Sequence, residues 1–375
     1  MTILDRYVLQ KFLTPFLYCF CGFIAIWFIF DLSDNLQDFI QGKAQFPVLL
    51  EYYASQIPQI ILICVPIGTL LALLYSLTAM SRSNEIISMI GAGLSVTRIL
   101  VPLMFVGLIL TGVTGWFNYE GAPHAAAIRK QMLRDIKRGE KWEVRLLGHL
   151  FRNREQRRTW FVRKIIVDKQ ELQDLQILQQ NEQGDILRQW YARGADYNPE
   201  LKQWKLTFAR YVEMNPAGEI VKSEMHNSIV IDGWSETPWR ISSSAMEADF
   251  LSIPELQDYL RYNSDFPEIR LAPFRANLEY RWALPCVCLV VIFLAAPLGI
   301  VYSRRGILGG VAMAIGLFFL LVFVSSLFVA LGKGGRVSPF VAAWVPMIAF
   351  FIIGLLLLWY RSTNRDLPKL KMLGF

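Results

Sequence analysis

Charge is scarce in this chain. Asp, Glu, Lys and Arg make up 18% of its 375 residues, where soluble domains carry roughly a quarter. Cysteine is also sparse, and Cys19, Cys21, Cys64, Cys286 and Cys288 all lie inside apolar runs. Residues two apart on a helix point to different faces, so Cys286 and Cys288 form neither a metal clamp nor a disulfide. The polar middle of the chain has no cysteine, which excludes a disulfide framework there. The three histidines are scattered, and no metal site is expected. No G-x-x-x-x-G-K-[ST] occurs, so the chain has no phosphate-binding loop of its own. "GKGG" at 332–335 lacks the upstream glycine and the following hydroxyl, and "GAGLS" at 91–95 is no dinucleotide fingerprint. H-E-x-x-H and G-x-S-x-G are missing too. Neither catalysis, nor a cofactor, nor a nucleic-acid partner is expected.

What the chain has in excess is apolar sequence, gathered near 12–30, 57–79, 99–117, 282–301, 307–331 and 340–359. Each run approaches or exceeds the ~20 residues that a membrane-spanning helix needs. The first is long and lacks a small-residue cleavage site, unlike a signal peptide. The middles of the runs are nearly free of charge, whereas ion-coupled transporters hold ionisable groups there. Arg6 and Lys11, Arg82 and Arg98, Arg304 and Arg305, and Arg361, Arg365, Lys369 and Lys371 all fall on one side of six spans. By the positive-inside rule that side is the cytoplasm. The 31–55 connection, with Asp31, Asp34, Asp38 and Glu51, belongs outside; the 332–338 turn, with two positive charges, runs weakly against the scheme. The expectation is an α-helical membrane protein with six transmembrane helices and both termini cytoplasmic. Its domains are an N-terminal membrane half (1–119), an inserted all-β domain outside (120–270) and a C-terminal membrane half (271–375). At the start, Ile3, Leu4, Tyr7, Val8 and Phe12 share one face, which suggests a short interfacial helix. Thr2 and Asp5 have the spacing of a capping box.

In the middle region, turn signals at 181–184, 198–201 and 215–218 separate strand-like runs at 159–168, 174–180, 186–192, 219–225, 228–232 and 239–246. In "QWKLTFARYV", Trp204, Leu206 and Phe208 alternate with Lys205, Thr207 and Ala209, a period of two. An antiparallel sandwich, jelly roll or barrel follows. Strands apolar on both faces suit either an ordinary core or a slot for an apolar ligand. Arg and Lys are dense over 124–170; Arg129, Lys130 and Arg134 follow span three directly, where they could hold anionic groups.

"MSRSNEIISMIGAGLS", residues 80–95, is too short and polar to cross a bilayer yet keeps a helical pattern. Over 82–94, Ile86, Ile87, Ile90 and Leu94 form one stripe, and Glu85, Ser88 and Ala92 another. A surface helix of this kind suits the groove of a partner protein; an ordinary interfacial turn is the alternative.

These stretches resemble the LptF/LptG permease family of the lipopolysaccharide exporter. "ILDRYVLQKFL" at the start is similar to the LptG branch, residues 80–95 to the family's most recognisable stretch, 280–300 to its fourth span and 335–359 to its sixth. The resemblance implies a jellyroll-like periplasmic domain. It implies that 82–94 is a coupling helix, with Arg82, Glu85, Ser88 and Ala92 facing a cytoplasmic ABC ATPase dimer similar to LptB. It further implies a second, LptF-like permease, periplasmic LptC- and LptA-like bridge proteins, and lipopolysaccharide as cargo in the bacterial inner membrane. The family's basic ring around lipid phosphates draws on the outer end of span one and the start of the middle domain. Arg129, Lys130 and Arg134 fit the second place; the first departs from the pattern, since "FDLSDNLQDFIQGK" is acidic. Two other functions remain open: a non-transporting scaffold or receptor whose β-domain binds a periplasmic partner, and an ABC permease for another lipid.

Overall fold

The computed structural model describes residues 3–122, 125, 128, 129, 132, 133, 136, 145–166, 171–243, 247–264, 266–300 and 307–363. Helix α1 (Ile3–Gln41) is unbroken for 39 residues, about 58 Å at 1.5 Å per residue, against a hydrocarbon core of ~30 Å. The expected interfacial helix and first span are therefore one rod. Asp5 does not serve a cap alone: its carboxylate takes a bidentate pair from Arg98, and Thr2 lies outside the described residues. α2 (Phe46–Arg82) returns, the short α3 (Glu85–Gly91) follows, and α4 (Val96–Trp116) makes the third crossing before a π-helical turn at Phe117–Gly121.

Six strands come next: β1 (Arg145–Asn153), β2 (Arg158–Ile166), β3 (Glu171–Gln180), β4 (Ile186–Asn198), β5 (Gln203–Met214) and β6 (Ile220–Asp232). They pair antiparallel in sequence order, a meander. The expected turns close its hairpins: Asn181 Oδ1 accepts from the amides of Gln183 and Asp185, Asn215 Oδ1 accepts from that of Glu219, and Gly184 and Gly218 supply φ of +98° and +85°. Two readings change. Residues 219–225 and 228–232 are one strand, and 239–243 is helical. That helix, α5 (Pro238–Ser243), starts on a proline, and Thr237 Oγ1 accepts from the Arg240 amide, a local cap that a strand could not use. α6 (Ile253–Tyr262) follows, with a complete capping box between Ser252 and Glu255.

A crease crosses the whole sheet. Arg163, Asp174, Arg193, Phe208 and Asn227 drop out of the pairing at one level, with register preserved on both sides. Asp174 and Phe208 take φ of +50° and +49° there, a backbone region L-residues seldom occupy. Core positions across the crease are therefore three apart: Leu172 and Leu175, Ala192 and Ala195, Leu206 and Ala209 are all buried. The period-two reading fails at this point. Trp204 and Leu206 face the core, Phe208 turns to the opposite face, and Ala209 takes its place.

The core face carries Trp160, Trp190, Trp204 and Trp234, with ring centroids 5.1–5.3 Å apart for Trp160–Trp204, Trp160–Trp234 and Trp190–Trp234. Beneath them Arg158 binds fully buried Glu236 through two 2.9 Å hydrogen bonds; Asn153 adds a third, and Trp204 Nε1 donates to the Glu236 carbonyl. The same core runs on into α7 (Glu268–Ala283), where Tyr259 stacks on Phe274 at 3.9 Å and Leu271 is buried.

α7 continues through a 3-10 turn into α8 (Val287–Gly299) as the fourth crossing; α9 (Ile307–Lys333) and α10 (Pro339–Ser362) are the fifth and sixth. All six helices are long and apolar enough to cross a membrane, so this is a helical membrane protein with an inserted β-domain. α2 and α8 hold the bundle core, while α1 exposes most of its apolar surface. Gly354 permits one close approach of helix backbones: a Cβ there would stand 2.8 Å from the Phe293 carbonyl carbon, the close packing that small residues allow in membranes.

Removing one member of a buried ion pair leaves an uncompensated charge. Glu236→Ala should destabilise the β-domain by about 3–5 kcal/mol. Chemical denaturation of the full chain, followed by the near-UV signal of its tryptophans, measures this. The double variant Arg158→Met/Glu236→Leu should regain much of the loss; a wild-type midpoint for Glu236→Ala would contradict the role given to the pair.

Candidate functional site: a docking helix, an ion pair and a groove

α2 ends at Arg82, and Asn84, in the left-handed region at φ +60°, redirects the chain into α3. The helix expected over 82–94 thus spans 85–91, with Arg82 closing the preceding span and Ala92 at the C-cap. Asn is among the few side chains that tolerate this backbone state, so Asn84 was the available signal. Ile86 anchors α3 at 1% exposure, with Met89 and Ile90 packed on the same core. Ile87, expected on the inner stripe, is exposed beside Ser88 and Ala92. The outward face is therefore Ile87, Ser88 and Ala92, small and partly apolar, with Arg82 at its edge. Glu85 is half-buried at one side, and Tyr7 donates its hydroxyl to Glu85 Oε2 at 3.0 Å.

Around α3 the helix ends are tied. Arg98 grips Asp5 at 2.7 and 3.2 Å, joining the starts of α1 and α4. Ser81 donates to the Gly299 carbonyl, and the Arg361 guanidinium donates to that of Ile300. α3 is thus presented from a braced platform.

At the opposite end of the bundle, Arg129 binds Asp31 at 2.8 Å, and Tyr52 adds a longer hydroxyl bond of 3.4 Å to the same oxygen. The Trp27 ring lies 5.8 Å from the guanidinium. Asp31 is buried, with no partner for Oδ2 among the described residues, whereas Arg129 stays about a third exposed. Sequence reasoning found Arg129 but missed its carboxylate partner, although the acidic outer end of span one was the sign of it. Lys130 and Arg134 lie outside the described residues. Arg129 and the described residues of the α3 group stand at opposite ends of the bundle and are not brought together.

The third feature is a groove of about 980 Å³ on the sheet face opposite the tryptophans. A row of paired neighbours crosses it: Leu150, Phe161, Gln176, Tyr191, Arg210 and Met225. Phe208 enters from the crease. His149 lies at one edge; burial lowers its pKa, the nearby Arg270 lowers it further, and a hydrogen bond to the Ile241 carbonyl opposes both. The imidazole is therefore neutral at neutral pH. Broad, apolar and open, the groove suits an acyl chain better than a small polar ligand. No group of three or more His, Cys, Asp or Glu able to hold a metal is found among the described residues.

Comparison with known proteins fits this arrangement. The family model "Lipopolysaccharide export system permease LptF/LptG" matches residues 6–360. Lipopolysaccharide export system permease protein LptG of Escherichia coli (strain K12) is 23% identical over 380 residues, spanning 96% of this chain and 99% of the relative. LptG of Escherichia coli O6:H1 (strain CFT073) matches to the same extent. With the family match running from the first span to the last, through the domain between them, the chain belongs to the LptF/LptG family of lipopolysaccharide export system permeases.

Proposed function

We propose that this chain is one of two permeases in an ATP-driven exporter that lifts lipopolysaccharide from the inner membrane to a periplasmic bridge. The observation that carries this reading is a division of labour. Residues 12–30, 52–81, 282–299, 307–332 and 339–360 hold no Asp, Glu, Lys or Arg, so the spans offer no charged path for a coupling ion. Energy must then enter from outside, and α3 is an exposed short helix on a braced platform. The Lys and Arg bias puts that end in the cytoplasm and the β-domain in the periplasm. In this reading Arg82, Ser88 and Ala92 fit the groove of an LptB-like ATPase dimer, and Glu85 supplies a charge-assisted hydrogen bond. The exposed flank of α1 faces the cavity shared with an LptF-like partner. Lipid phosphate passes Arg129, Lys130 and Arg134, its acyl chains enter the groove beside Phe161 and Phe208, and LptC- and LptA-like proteins receive it. Because Asp31 already neutralises Arg129, a sparsely phosphorylated lipid fits best.

Glu85→Ala should weaken ATPase docking by about 1–3 kcal/mol, the worth of a hydrogen bond to a charged group, and reduce lipid export while insertion persists. Unchanged ATPase co-purification and export would sink the assignment.

A photo-crosslinker at Phe161 or Phe208 should capture lipid when ATP is available, and one at Trp204 should not. Capture from Trp204, or from neither face, would remove the groove from the lipid path.

Neutralising Arg129, Lys130 and Arg134 together should lower lipid retention and flatten its dependence on salt, since screening acts on exposed charges. Wild-type retention across a salt series would make the cluster a solvated face.

A further inference from the structure

A second amphipathic cavity lies beside the docking helix. A cleft of about 550 Å³ between α1 and α2 is lined by Tyr7, Lys11, Ser76, Ser83 and Glu85, among others. It shares Thr14, Pro15 and Tyr75 with another of about 550 Å³ that runs on past Tyr18, Leu71 and Leu74 to Val311 of α9. The two form one trough. Polar groups gather at the end nearest α3, and the rest is apolar apart from isolated hydroxyls and Cys19. From Tyr7 to Cys19 the trough follows twelve residues of α1, about 18 Å at 1.5 Å per residue. One leaflet of hydrocarbon is about 15 Å deep, half of the ~30 Å core. The trough therefore matches a single leaflet in depth, with its polar end at the water boundary.

That end carries both signs of charge on one tyrosine. Lys11 Nζ stands 5.3 Å from the Tyr7 ring centroid, and the Tyr7 hydroxyl donates to Glu85 Oε2 at 3.0 Å. Glu85 Oε1 has no hydrogen-bond partner among the described residues. Lys11 and Glu85 both line this cleft, so an ammonium that needs an acceptor and a phosphate that needs a cation find their partners in it. An anionic headgroup would satisfy Lys11 and meet repulsion at Glu85; a neutral one would leave both charges to water. Ring and stem atoms of Tyr75, which is 65% exposed, flank the acyl path.

We propose that this trough is a specific site for a zwitterionic phospholipid of the leaflet nearest α3. The lipid's primary ammonium binds Glu85, its phosphate binds Lys11, and one acyl chain lies along Pro15, Cys19 and Leu74. The site differs from the export path: it lies at the other end of the bundle from Arg129 and the β-sheet groove. It needs only that the chain spans a membrane, so it stands or falls apart from the ATPase reading, although both use Glu85.

The test uses the purified full chain without any ATPase, equilibrated in vesicles of phosphatidylethanolamine, phosphatidylcholine and phosphatidylglycerol in equal parts. Lipid retained after detergent extraction is counted by native mass spectrometry. Phosphatidylethanolamine should be enriched over the bulk mixture by about tenfold, the scale of one hydrogen bond to a charged group. Phosphatidylcholine, whose quaternary ammonium cannot donate, should not be. Lys11→Gln and, separately, Tyr75→Trp, which narrows the trough from an exposed position, should each return retention toward the bulk ratio while the protein stays monodisperse. A photo-crosslinker at Tyr75 in intact membranes should label phospholipid. Retained lipid that mirrors the bulk mixture would reduce the trough to annular contact. Labelling of a partner protein's helix from Tyr75 would give the trough to that helix. Either outcome overturns the proposal.

Discussion

A bilayer does not tolerate uncompensated charge, and the placement of every other feature depends on this. Among the described residues the spans keep their charges at two levels, and the pairs found there join separate helices. At one end Arg98 holds Asp5, and Arg361 reaches the Ile300 carbonyl. At the other, Arg129 holds Asp31, while Arg281 and Lys333 meet Asp249 through its carbonyl and its carboxylate. Between these levels the packing is mostly apolar, and buried hydroxyls such as those of Thr69 and Ser76 bond to carbonyls of their own helix. Among the described residues the charges of the spans thus gather at the two ends of the bundle.

The two ends are built differently. Near α3 the ties are single side-chain bonds between helix ends, and they leave a small apolar helix face exposed. At the far end the β-domain shares a core with the fourth span: Tyr259 on Phe274, with Asp249 bonded to Arg281 and Lys333. The β-domain is thus fastened to the C-terminal half of the bundle. The crease through Asp174 and Phe208 sends Phe208 to the face opposite the tryptophans, where it joins the lining of the groove.

Much of this was legible from residues alone. Twenty-residue apolar runs report spans because nothing else explains them, and turn residues with a left-handed requirement, such as Gly184 and Gly218, marked the hairpins. The family resemblance, resting on residues 80–95 and the fourth and sixth spans, agrees with the comparisons. What escaped was long-range or conformational. A period of two cannot announce a crease, because Phe208 looks like any other alternating aromatic until its φ turns positive. Ile87 was placed inward because helix periodicity gives a face and not its boundary. Asp31 and Arg129, 98 positions apart, find each other only once spans one, two and three are packed. Residues 239–246 looked like a strand because the Thr237 cap is a matter of one hydrogen bond.

The central claim is that this chain moves lipid only when driven from the end that bears α3. Reconstitution with a second permease of the family in lipopolysaccharide-loaded vesicles, with and without an ABC ATPase, tests it directly by lipid delivered to an external acceptor over time. Release should require both the ATPase and hydrolysable ATP and should stop with a non-hydrolysable analogue. Release at the same rate without the ATPase, or driven by an imposed ion gradient, would contradict it.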